Sequence, residues 1–271
     1  VTETAHPATP TAPSPAGDYA RPDPDRDIFG REPVGRPDWS HRRGEPRIFA
    51  LIWMIYLMGV TAIMFMTVSD AFFVSTDITR PAARAMVLAT AAGIALLWPA
   101  FRLAQHPPEH PVRDVLRDLF VLLVPAQAVV WPHALRVLAD WPLPVLLGVT
   151  ACFAAWAMVV GGLIALANSG AGAGRVRWMW MLVVLAVVIG APALGMALGI
   201  VGPTRVDAPR PGWMLSPLTG VLEITRDRDA SGTTVPVSPT HWRSLAAVAC
   251  VGGALLCLAG AARVAPTRRG A

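Results

Sequence analysis

The apolar positions of this chain gather in long uncharged runs, not in the short periodic patterns of surface helices or half-buried strands. The clearest is Ile48 to Val68, which carries no charge and is long enough to cross a hydrocarbon core of about 30 Å at about 1.5 Å per residue. Five more runs follow, at Ala85–Phe101, Leu119–Leu135, Trp141–Ala167, Trp178–Gly202 and Ser244–Ala262. The third contains Pro125, Gln127, Pro132 and His133, so a kinked or re-entrant segment is expected there. The fourth is long enough to tilt. The pattern predicts an all-α integral membrane protein, a bundle of about six transmembrane helices forming a membrane domain over residues 48–265. Arg42-Arg43 precedes the first run in the manner of a secretion signal, but the run is longer than a usual signal core and reads as a span.

The segments between the runs differ in kind. Residues 1–47 hold nine prolines and seven arginines with almost no apolar periodicity, which predicts a disordered cytoplasmic tail. Residues 266–271 form a second, short tail. In the loop 103–118, the sequence from Pro111 to Phe120 opens a helix. Arg113 and Arg117 fall one turn apart there, as do Asp114 and Asp118, giving a short charged face. The loop 203–243 is the longest between runs. Its Val221–Thr225 and Thr233–Val237 stretches flank a polar turn, and a small hairpin is expected.

Composition removes the soluble alternative. Hydrophobic residues make up 54% and charged residues 15%, against about 25% charged in soluble domains, too little to cover the exterior of a water-soluble fold. Every basic residue is arginine, and the arginines sit at the ends of the runs. With the N-terminus inside, fifteen lie on the cytoplasmic side and eight on the other, so both termini are expected in the cytoplasm, the chain lying in the cell's inner (plasma) membrane. The net charge of +5 does not imply nucleic-acid binding, because no basic stripe with interleaved aromatics is present.

Candidate chemistry is sparse. His106, Glu109 and His110 have metal-like spacing only on a helix, and Pro107-Pro108 breaks one there. Only His133 lies inside a run, so a bis-histidine haem within this chain is excluded. Cys152, Cys250 and Cys257 all fall inside runs and read as packing residues. Asp70, Gln127 and His133 are the polar groups nearest the hydrocarbon and the intramembrane candidates for a transport or proton role, since a charge buried there is costly. Small residues recur at Ala191, Gly195 and Gly199, at Gly161-Gly162 and at Gly252-Gly253, as close helix packing requires. No phosphate loop, nucleophile elbow, zinc helix or dinucleotide fingerprint occurs. Neither a cofactor nor an enzymatic activity of the chain's own is expected.

Leu215-Ser-Pro-Leu-Thr219 resembles the Ser-Pro-Leu segment that many ABC-2-type transporter permeases carry before their last helix. Gly161 to Ser169, followed by Arg175 and Arg177, resembles the short basic turn between their fourth and fifth spans. The resemblance extends in layout over residues 48–265. It departs at the loop 103–118, which lacks the acidic, threonine-rich run before the coupling helix, and at the Pro-rich N-terminus. It implies a permease-like subunit that relies on a separate ATPase, contacted through Arg113, Asp114, Arg117 and Asp118. The alternative is a structural or assembly subunit of a larger membrane complex, with no transport or catalysis of its own. The expected partners are the lipid bilayer, an ATPase or other complex subunits, and a second copy of the chain.

Overall fold

The computed structural model describes residues 46–69, 75–105, 107–169, 173–199, 208–227 and 234–264. The expected tail 266–271 and all but the last two residues of the expected tail 1–47 lie outside these, as does Asp70. Within them the chain is helical. Helix α1 runs Pro46–Ser69. α2 runs Thr76–Ala92 and passes through a π turn, Gly93–Leu97, directly into α3, Trp98–Ala104. α4 covers Pro111–Val130 and ends in a 3-10 turn, Trp131–Ala134; α5 covers Leu143–Ser169. α6, Ala173–Leu185, continues through a second π turn, Ala186–Gly190, into α7, Ala191–Ala197. A 3-10 turn Pro211–Leu215, the short α8 Pro217–Ile224 and α9 Pro239–Val264 complete the described chain.

Five of these helical stretches are long and apolar enough to cross a membrane: Ile48–Val68, Ile78–Ala104, Pro111–Ala134, Leu143–Ser169 and Pro239–Ala262. Arg177–Gly190 is a shorter apolar helix. Two stretches begin well before the uncharged runs. In the second, Arg80 and Arg84 do not end the helix, because Arg80 Nε donates to Ala139 O at 2.8 Å and Arg84 Nε to Thr225 O at 2.8 Å. In the third, Pro111–Phe120 opens a helix, as the sequence suggests. It forms the opening turns of α4, started by a proline at the first helical position, where its missing N–H leaves no bond unmade.

α5 is the central helix, buried along most of its length. Its partner α9 crosses it at a glycine contact: a Cβ built on Gly252 would stand 2.7 Å from the backbone of Met158 and Val159, and one on Gly162 would stand 2.5 Å from Leu255 Cβ. Only hydrogen atoms at both positions let the two backbones approach so closely. Around this pair the core is aromatic. Trp53, Trp98, Trp141 and Phe153 are fully buried, and the Trp53 indole donates to Leu122 O at 3.1 Å, joining α1 to α4. Gly93, in the π turn, lets Trp53 and Tyr56 of α1 lie against α2: a Cβ there would be 2.5 Å from Tyr56 Cε1.

The segment after α7 corrects the expected external hairpin. Val221–Thr225 is helical up to Ile224, and strand-like pairing among the described residues is confined to an isolated antiparallel bridge between Asp227 and Thr234. The local reason is the start of α8. Ser216 caps it, its Oγ accepting from Leu218 N at 3.3 Å, and Pro217 occupies the first position. The β-branched residues that suggested a strand instead supply an apolar helix face, with Val221 and Ile224 buried against α2 and α5. The described part of this loop is a packed cap, with Met214, Ser216 and Thr225 wholly inaccessible.

Candidate functional site

Polar side chains collect in two clusters, one toward each end of the bundle. The first lies where α3, α4, α5 and α6 end or begin. Asp118, expected on a solvated charged face, is 1% exposed. The cause is its partners: Trp98 Nε1 donates to Oδ2 at 3.0 Å, Arg102 Nε donates to the same oxygen at 2.5 Å, and Arg102 Nη2 pairs with Oδ1. A bidentate guanidinium with an indole N–H meets most of what a buried carboxylate needs. Arg102 also donates to Gln105 Oε1 at 2.8 Å and lies 5.2 Å from the centre of the Phe49 ring. Beside it, Arg177 reaches Gln105 O and donates to Asn168 Oδ1 at 2.6 Å, fixing the start of α6 to the end of α5.

The sequence-expected contact group is therefore divided. Asp118 is spent inside the bundle, whereas Arg113 and Arg117 are exposed on the first turns of α4 and Asp114 is half-buried. Gln127 and His133 are also kept apart. Gln127 Oε1 accepts from Thr150 Oγ1 at 2.8 Å and Trp131 Nε1 at 3.0 Å, and its Nε2 donates to Leu123 O at 3.1 Å. His133 is buried against Trp141, ring centroids 5.2 Å apart, and neither ring nitrogen has a hydrogen-bond partner among the described residues. Its ring faces a cavity of about 40 Å³ that Met64, Thr79 and Leu138 also line.

The second cluster was not legible as a site. α8 carries Glu223 inward, 1% exposed. Its Oε1 accepts from Arg210 N at 3.1 Å and Arg226 Nη2 at 3.1 Å, while Arg226 Nε lies 3.1 Å from Oε2. His241, also 1% exposed, places Nε2 3.4 Å from Oε1. The Ser238 backbone N–H donates to His241 Nδ1 at 3.2 Å, which makes Nδ1 the acceptor and assigns the ring proton to Nε2, facing the carboxylate. Nearby, Asp227 pairs with Arg84 and, at 3.4 Å, with Arg80. Glutamate, histidine and a neighbouring serine invite a catalytic reading, but one imidazole nitrogen is engaged by backbone and the other faces Glu223. Ser238 Oγ meets Thr240 Oγ1 at 2.6 Å. This arrangement ties the cap to the start of α9.

Glu109 and His110 sit in the turn before α4, and His106 lies outside the described residues. Among the described residues no three His, Cys, Asp or Glu side chains come together as metal ligands would. Cys152 is buried, while Cys250 and Cys257 are exposed on α9. Compared with family models, with curated proteins and with solved structures, the chain finds no match.

Proposed function

We propose that the chain is a six-span subunit of a larger membrane complex, with both ends in the cytoplasm, whose role is structural: it holds a fixed helical surface for its partners. The observation that carries this is a buried carboxylate contact between helices at each end of the bundle: the Arg102–Asp118 ion pair joins α3 to α4 at one end, and Glu223, ion-paired with the adjacent Arg226, faces His241 of α9 at the other. Removing either partner of such a pair strands a buried charge, which costs about 3–5 kcal/mol, so the clamps resist opening. The middle of the bundle is filled with Trp53, Phe153 and Trp156.

The sixth span is supported by where its neighbours meet. α6 starts at the Asn168 and Gln105 end, through Arg177. α7 finishes beside the 3-10 turn Pro211–Leu215, in the cap that binds Arg84 at the other end of α2. The helical run from Ala173 to Ala197 is about 37 Å long at 1.5 Å per residue, enough to pass between the two ends. The π turn divides it without ending it.

A permease-like subunit driven by a separate ATPase is the second reading. It is favoured by Arg113 and Arg117, which stay exposed on the first turns of α4. Purification of the full chain in mild detergent with identification of its partners separates the two. Co-purifying subunits of a membrane assembly support the structural role; a stoichiometric ATPase, lost on R113E/R117E, would replace it with the permease.

A further inference from the structure

α4 and α5 leave a groove of about 480 Å³ on the outside of the bundle, lined by Leu116, Leu119, Phe120, Leu123 and Val124 of α4 and by Ala154 of α5. Phe120 and Val124 are 73% and 65% exposed, so the bundle itself does not fill it. One end is closed by the Gln127–Thr150 hydrogen bond. Along α4 the groove extends from Leu116 to Gln127, about 16 Å at 1.5 Å per residue, half of a hydrocarbon core of about 30 Å and so the depth of one leaflet. At its other end stand Arg113, three residues before Leu116, and Arg117, directly after it, both exposed. At about 100° per residue they lie within about 40° of each other around the helix, on the side that carries Phe120 and Val124, whereas Asp114 is turned away from it.

From this arrangement we propose that the groove is a binding site for one anionic phospholipid of the leaflet at the Arg113 end. Its phosphate sits between Arg113 and Arg117 and one acyl chain lies against Leu116, Phe120, Leu123 and Val124, down to Gln127. The proposal rests on the membrane reading of the bundle. Depth, wholly apolar walls and a basic mouth together select an anionic lipid over a partner helix, which would need no charge at that level. Guanidinium groups at the interface attract anionic headgroups and offer paired donors to phosphate.

The test is native mass spectrometry of the full chain released from micelles containing equal amounts of phosphatidylglycerol and phosphatidylcholine. The wild type should retain one phosphatidylglycerol in preference to phosphatidylcholine by about tenfold. R113Q/R117Q, altered only at exposed positions, should lose that preference, and A154W, which fills the groove, should lose the bound lipid while keeping both arginines. Inorganic phosphate should not displace the lipid, because the acyl chain contributes to its hold. Equal retention of the two lipids by the wild type, unchanged preference in R113Q/R117Q, or displacement by phosphate would overturn the site. So would an A154W chain that keeps its lipid but loses a self-association that the wild type shows, the mark of a helix-docking face. A chain that stays dispersed without any detergent would overturn the membrane reading as well, whereas extraction only by detergent without lipid preference overturns the lipid site alone.

Discussion

Arg102 and Asp118, sixteen residues apart on either side of a proline-rich turn, form a bidentate ion pair that the Trp98 indole completes. The pair decides how the turn between α3 and α4 is held, and it removes from the surface one of the four charges that the sequence alone places there.

The Asp118→Ala variant should therefore lose about 3–5 kcal/mol, because Arg102 is left buried without its counter-charge. The change is read as a lower unfolding midpoint in detergent. Reversing the exposed Arg113 and Arg117 to Glu should shift stability by no more than about 0.5 kcal/mol. Equal losses from the two variants would mean that Asp118 is not the anchor of this turn.

The α5–α9 crossing gives a steric prediction. Gly252→Leu must displace α9 from Met158 and should destabilise by about 1–3 kcal/mol or more. Gly260→Ala, where a Cβ meets nothing within 4 Å, should be neutral or slightly stabilising. Thermal unfolding of the two purified variants distinguishes a real backbone contact from a loose one.

The cap is held by Glu223. Glu223→Gln keeps the shape but removes the charge opposite Arg226 and His241, and should loosen residues 208–227 before the bundle unfolds. Hydrogen exchange should rise first at Arg210, whose N–H donates to Glu223. Exchange that rises equally in α5 would place Glu223 in the global core instead of in a local clamp.

The apolar runs disclosed the helices because a span needs about twenty apolar residues and little else. They misplaced helix starts wherever a charge is neutralised from far away in sequence. Arg80 and Arg84 look like the end of a helix until Ala139, Thr225 and Asp227 are seen to receive them. Asp118 looks solvated until Arg102 closes on it. α8 was hidden for a different reason: Val221, Ile224 and Thr225 favour strand locally, and the Ser216 cap with burial against α2 and α5 overrides them. Glu223 and His241 carried no signal as a pair, since only the fold brings α8 onto the start of α9. The glycine pairs were visible as small-residue spacing, but which pair meets which helix depends on the bundle.

The central claim is a six-span bundle with both ends in the cytoplasm and the capped segment outside. It is tested most directly by cysteine accessibility in intact cells, using a chain whose own cysteines are replaced and single cysteines placed at Ala16, Leu215 and Ala265. Leu215 is 54% exposed in the cap and should react with an impermeant reagent, while the other two should react only after permeabilisation. Labelling of Ala265 from outside with Leu215 protected would mean that α6 and α7 do not cross and only five spans exist, and labelling of Ala16 in intact cells would invert the topology altogether.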